Sequence, residues 1–300
     1  MGHALQLLIY GLQLGSLYAL LAIGYTLVFG IIKMINLAHA DLMMLGAFIA
    51  YYLFLWFAGG ENSVITVVFI VVGSMLLVAL IGFVIERVAY KPLRGRTTVA
   101  SLVAAIGVQL FIENLMRCLP GVGALPKNFP TLFPKTNIVV GGYQITSTQI
   151  IVIVIAVILL LFMQWLCYHT SLGKQMQAVS VDKDASALMG INVNKVISIT
   201  FSIGAALAAI CGILYGSLYP TIYVYMAGTI GNKAFISAVI GGIGNIKGAM
   251  LGGLIIGIME VFLQSFAADI SYGLCFVILI LVLLYKPTGL LGGKAVREKV

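Results

Sequence analysis

The sequence predicts an all-α protein: a polytopic transmembrane helical bundle of eight to nine membrane segments, with a broken, glycine-rich segment near 241–248. Three observations carry this expectation. Of 300 residues, 62% are hydrophobic and only 9% are charged, with a mean hydropathy of +1.13. Soluble domains carry roughly 25% charged residues. Nearly charge-free stretches recur from end to end, at about the 20-residue length that crosses roughly 30 Å of hydrocarbon. The basic residues, finally, gather in short loops between those stretches, the positive-inside signature of membrane proteins. That placement excludes reading the net charge of +8 as a nucleic-acid surface. No polar region is long enough for a second domain, so residues 1–300 are read as a single transmembrane domain.

The apolar spans fall at about 5–31, 38–58, 64–86, 98–117, 148–168, 196–217, 229–264 and 267–285. The opening MGHALQLLIYGLQLG has no basic n-region and no small-residue cleavage site, so it reads as a retained span. The first and seventh spans are too long for one simple crossing. The seventh contains GGIGNIKG, in which Gly241, Gly242, Gly244 and Gly248 surround Asn245 and Lys247. It is read as two segments hinged there. An alternating assignment puts Lys33, Arg87, Lys91, Arg94 and Arg96 on one side. Lys174, Lys183, Lys195, Lys247, Lys286, Lys294, Arg297 and Lys299 join them. The other side keeps Arg117, Lys127, Lys135 and Lys233. The first side is therefore expected to be cytoplasmic, with the C-terminus inside and the N-terminus outside.

Two loops stand out. Residues 118–147 carry Pro120, Pro126, Pro130 and Pro134 with Gly121, Gly123, Gly141 and Gly142, a density that argues against a regular helix. This outer loop is either a connector or a docking surface. Residues 169–195, HTSLGKQMQAVSVDKDASALMGINVNK, form the longest polar stretch that is not proline-rich. Within it a short amphipathic helix is predicted over 182–189. Asp182 and Asp184 suit its N-terminus and Gly190 its C′ position. Ala185, Leu188 and Met189 share one face by i, i+3, i+4 spacing. That face needs a soluble partner or the membrane core to cover it.

Catalytic signatures are absent: no GxxxxGK[ST], no HExxH and no GxSxG. The histidines, His3, His39 and His169, are far apart in sequence, and Cys118, Cys167, Cys211 and Cys275 show no metal spacing and read as packing residues. No metal site is expected. Glycine pairs at Gly11/Gly15, Gly212/Gly216, Gly248/Gly252 and Gly253/Gly257 predict close helix contacts. Two acids lie inside spans. Glu113 can reach water or Arg117 near the outer end, and Glu260 reads as an interhelical hydrogen bond or a proton-coupling group. In IIKMINLAHADLMMLGA, Asn36, His39 and Asp41 bring three polar side chains to one turn, as helix caps or as a gate.

Five blocks in order resemble the branched-chain amino acid ABC transporter permease family, and within it the LivH-type subunit. They are GLQLGSLYALLAIGYTLVFGIIKMINLAHADLMMLGAF, IERVAYKPLR, the stretch SLGKQMQAVSVDKDASALMGINVNKVISITFSIGAALAAICGILYG, NKAFISAVIGGIGNIKGAMLGGLIIGIME and KPTGLLG. One departure is Ala40, where the family's NFAHG has glycine and φ > 0 freedom. The resemblance implies a permease domain, not an enzyme, in a bacterial inner membrane, carrying leucine, isoleucine or valine. It implies a second homologous permease, two cytoplasmic ATPase subunits that hold ATP-Mg, and a periplasmic substrate-binding protein, with no cofactor on this chain. Asp182, Asp184, Ala185, Leu188, Met189, Gly190 and Ile191 stand where the ATPase-coupling helix is expected. Asn36, His39 and Asp41, with Gly241, Gly242, Gly244 and Gly248, are candidates for a gate or hinge. Other small substrates (urea, amides, other apolar amino acids) fit the same spans. A stand-alone carrier or channel is the rival class, and an intramembrane enzyme lacks a nucleophile–base pair.

Overall fold

A backbone in lipid must meet its hydrogen bonds within each segment, and the chain does so almost wholly by helices. The computed structural model describes residues 2–34, 36–57, 63–123, 125–140 and 143–292. Gly141, Gly142, Lys294, Arg297 and Lys299, used above for loop character and orientation, lie outside the described residues. The order is α1 (Gly2–Ile32), α2 (His39–Phe57), α3 (Val64–Ile85), α4 (Thr98–Cys118), β1 (Lys127–Asn128), β2 (Asn137–Val140) and β3 (Tyr143–Thr146). Then come α5 (Ser147–His169), α6 (Ser171–Val181), α7 (Lys183–Leu188), α8 (Val193–Leu218), β4 (Thr221–Ile222), α9 (Met226–Gly241), α10 (Ile246–Phe266) and α11 (Ala268–Tyr285). The end of α3 runs on through a π turn at Glu86–Tyr90 and a 3₁₀ turn at Lys91–Leu93.

Among the described residues, seven helices are long and apolar enough to cross a membrane: α1, α2, α3 with its extension, α4, α5, α8 and α10. The shorter α9 and α11 pack beside α10, giving a bundle in the expected range of eight to nine. The first span corrects an expectation. It is one unbroken helix of 31 residues, about 46 Å at roughly 1.5 Å per residue. It contains no proline, and its glycines serve packing instead of breaking the helix. The seventh does break, at the hinge expected, with φ of 107° at Gly242 and 96° at Gly244.

The centre belongs to α1 and α8, whose apolar windows are 94% and 78% buried, against 17–28% for α3, α4 and α5. Those outer helices show Ile65, Leu76, Phe111 and Leu161, an apolar surface suited to lipid. Close backbone approach joins the central helices. A Cβ on Gly11 would lie 2.7 Å from Ile258 Cα, and one on Gly15 2.9 Å from Leu254 Cα. Gly253 and Gly257 of α10 in turn meet Ala19 and Gly15 of α1. Gly248 and Gly252 meet α9 at Gly241 and Ser237, and Gly212 meets the Met43 carbonyl of α2. All four glycine pairs read from the sequence thus carry contacts, although Gly216 packs on the Phe129 ring of the 118–147 loop and not on a helix.

That loop has no regular helix after Cys118 among its described residues. It holds two features the sequence did not announce. β2 and β3 form an antiparallel hairpin, and β1 pairs with β4. Phe129 and Leu132 are buried, so the loop folds down over the end of α8. Of the cysteines, Cys167, Cys211 and Cys275 pack in the interior, but Cys118 is exposed at the end of α4.

A Gly253→Leu chain should lose thermal stability in detergent by more than the about 1–3 kcal/mol of ordinary overpacking, because it strikes the α1 backbone. Gly107→Leu, where nothing lies within 4 Å, should match wild type in a thermal size-exclusion assay.

Candidate functional site

The polar groups of the bundle gather at its two ends. At the end carrying Lys33, α5 turns sharply into α6. Thr170 caps α6 by accepting from Gly173 N at 3.1 Å and donates to Leu166 O at 2.6 Å. Only glycine fits at 173, since a Cβ there would run into the Leu166 and Cys167 carbonyls. Helix α6 was not foreseen in the polar loop; its buried Met176 and Val179 seat it on the bundle, against α1 and α8. The predicted short helix is present as α7, one residue shorter at each end. Asp182 is its N-cap, accepting from Asp184 N and Ala185 N at 2.9 Å each. Gly190 at φ 83° closes it, with Gly190 N donating to Ala187 O and Ile191 N to Ser186 O at 3.0 Å.

Leu188 is 89% and Met189 82% exposed, and Val181 beside them 87%. The chain's own core therefore does not cover the apolar face predicted for this segment. Lys183 ties α7 inward, donating to Ile32 O at the end of α1 at 3.4 Å, where a helix C-terminus favours a cation. Partial burial, with Arg94 and Lys33 nearby, holds its ammonium below the ordinary lysine range.

Beside it lies a network the sequence reading missed. Glu86, fully buried, pairs with Arg94 and accepts from Ser198 Oγ at 2.6 Å. Arg94 also donates to Asn194 Oδ1 at 2.6 Å. This cluster fastens the end of α3 to the start of α8. Tyr90 from the same π turn donates to Asn36 Oδ1 at 2.7 Å. The capping reading of Asn36, His39 and Asp41 is corrected: the backbone carbonyl of Asn36, not its side chain, receives His39 N. All three side chains are buried. His39 sits against Gly24 and Gly204, edge-on to Tyr25 at 4.8 Å. His39 Nε2 and both Asp41 carboxylate oxygens lack a hydrogen-bond partner among the described residues. Ala40 needs no φ > 0; it lies within α2, and its methyl meets Gly231 of α9.

The α9–α10 break is held by a distant segment. Leu290 N donates to Ile240 O at 2.7 Å and Leu291 N to Gly241 O at 3.0 Å. Asn245 Nδ2 donates to Leu291 O at 2.6 Å, while its Oδ1 caps α10 at Gly248 N. The KPTGLLG block thus satisfies carbonyls that the end of α9 leaves open.

Near the opposite end, α1, α5, α8, α9 and α10 enclose a cavity of about 470 Å³. Glu260, 2% exposed, pairs with Lys233 and accepts from Tyr18 Oη at 2.8 Å and Gln264 Nε2 at 3.0 Å. The interhelical hydrogen bond expected of Glu260 is present. Lys233, assigned by charge to the side opposite Lys33, lies within α9 and pairs with Glu260 in the interior. Glu113 takes a contact from Gln109 at 3.4 Å, while Arg117 reaches Asn114 and the Tyr225 ring. Among the described residues no group of three His, Cys, Asp or Glu is placed to hold a metal ion.

The family model of the branched-chain amino acid transport system permease component matches residues 7–283. The chain belongs to that family. As a branched-chain permease it is a transport component and not an enzyme. It is 40% identical over 306 residues to the high-affinity branched-chain amino acid transport permease BraD of Pseudomonas aeruginosa, covering 99% of this chain and 98% of that one. LivH of Escherichia coli is 38% identical over 303 residues with the same coverage. A probable LivM of Methanocaldococcus jannaschii is 26% identical over 250 residues, covering 76% of this chain and 70% of that one. No solved structure matches. The permease therefore combines, at one end, the α6–α7 segment with the α1–α2 junction and, at the other, a charged cavity. In the break between α9 and α10, Gly244 lies at the first end beside Gly30 of α1, and Gly242 against Gly292 and Thr288.

Glu86→Gln should destabilise the permease by about 1–3 kcal/mol, the cost of leaving the partly buried Arg94 without its charged acceptor, read as a lowered unfolding midpoint in detergent. Asn245→Ala, which removes a cap and the Leu291 bond, should cost about 1–2 kcal/mol in the same assay.

Proposed function

We propose that this chain is a transmembrane permease subunit of an ATP-driven importer that carries leucine, isoleucine and valine into the cytoplasm. The full-length likeness to BraD and LivH carries this reading. The transport of branched-chain amino acids by those relatives supplies the substrate class, and the end-to-end coverage supports the same division of labour here. The partners are a second, LivM-like permease, two cytoplasmic ATPases that bind ATP-Mg, and a periplasmic binding protein. The setting is a bacterial inner membrane. Lys33, Arg87, Lys91, Arg94, Lys174, Lys183, Lys195 and Lys247 favour a cytoplasmic location for the α6–α7 end. The N-terminus is then outside and the C-terminus inside.

In this reading α7 and the turn after it are the ATPase contact. Asp182 and Gly190 fix a rigid knob, and Ala185, Leu188 and Met189 present the face that a soluble partner covers. Motion of the knob passes to α5 through the Thr170 turn and to α1 through Lys183 and α6. It reaches α8 through the Asn192 cap at Lys195 N. Asn36, His39 and Asp41 at the α1–α2 junction, with Gly241, Gly242, Gly244 and Gly248, are the hinge that yields. ATP drives transport only by binding one state more tightly than the other.

Purification from native membranes in mild detergent should bring down two P-loop ATPases and a second permease in fixed ratio; a chain that emerges alone refutes the importer. Leu188→Asp with Met189→Asp should leave insertion and thermal stability intact, because both side chains are exposed, and should abolish leucine uptake. Gly190→Pro, which cannot adopt φ 83°, should do the same; normal uptake by either variant would refute the coupling assignment.

A further inference from the structure

We infer that the cavity around Lys233 and Glu260 is a way-station for the zwitterionic head of the transported amino acid, an inference that rests on the importer reading above. Charges inside a bundle are expensive and mark pathways. This pair does not join loose elements. α9 and α10 are already in backbone contact at Gly241–Gly248 and Ser237–Gly252. Instead the pair faces a cavity of about 470 Å³, within the range of about 300–1,000 Å³ typical of small-molecule sites. The cavity rim carries Tyr219, Thr229 and Gln264, all exposed, so the space is reached from the outer end. Its wall supplies Leu14, Ile230 and Val261, an apolar surface for an aliphatic side chain.

The chemistry suits one ligand class. A cation and an anion side by side match a carboxylate and an ammonium on one carbon. Lys233 leaves Glu260 for the ligand's carboxylate, and Glu260, still held by Tyr18 and Gln264, accepts the ammonium. Two ion pairs replace one, and the net charge of the site is unchanged. In the empty state each protein charge is the other's placeholder. An amine or an acid alone would strand one buried charge, so the site selects zwitterions. The nearby aliphatic wall then favours apolar side chains among them.

The test uses the assembled complex. Thr229→Cys in a Cys118→Ser chain places a reactive thiol on the rim without touching the pair. Excess leucine should slow its labelling by a membrane-impermeant maleimide about threefold or more. Leucinamide, lacking the carboxylate, and isocaproate, lacking the ammonium, should protect far less. Equal labelling with and without leucine, or equal protection by leucinamide, overturns the inference. In proteoliposomes Glu260→Gln and Lys233→Gln should each lower leucine uptake about tenfold or more. The exchanged pair Lys233→Glu/Glu260→Lys should not restore it; full rescue by the exchange would mark a purely structural ion pair. If the intact wild-type complex imports no leucine, the substrate reading fails by itself. Protection by another zwitterionic amino acid, and not by its amide, then still decides the site.

Discussion

Helices in lipid gain little by hiding apolar surface from one another, because the solvent they leave is as apolar as the neighbour they meet. Close backbone contact takes over that role, and α1 is where it is concentrated. Gly11 and Gly15 admit the α10 backbone, and Gly24 leaves room for the His39 ring. Through α10 the contact extends to α9, at Gly241 and Ser237. Through α8 it extends to α2 and α3, at Gly46 and Gly82. Each step is a place where one methyl group too many would push two helices apart. The long central helix is therefore the reference against which every other element is set.

Polar chemistry is added at the two ends of that packed centre. At one end Glu86, Arg94, Ser198 and Asn194 connect α3 to α8, and Lys183 connects α7 to α1. At the other, Tyr18 of α1, Lys233 of α9 and Glu260 of α10 meet around a cavity. The helices α1 and α8 touch both regions. The α6–α7 turn and the cavity are thus built on the same two helices.

What the sequence made legible were features that one segment declares by itself. Span lengths, the broken GGIGNIKG and the cap pair Asp182 and Gly190 all follow from local residue chemistry. The glycine pairs identified themselves as contacts, although not which helix each would meet. What stayed hidden depends on long-range folding. Glu86 and Arg94 are eight residues apart, not a helical i, i+4 pair, and meet only because π and 3₁₀ turns bend the chain. Lys233 counted only as a cation on one side of the membrane, because its partner Glu260 lies 27 residues away. Helix α6 was lost in a polar loop because its few apolar residues, Met176 and Val179, find their partners on other helices.

The KPTGLLG clasp makes the joint between α9 and α10 depend on a segment far along the chain. Ile240 and Gly241 find their donors in Leu290 and Leu291, and Asn245 meets a carbonyl 46 residues downstream. A substitution within 286–292 therefore acts at a break it does not neighbour in sequence.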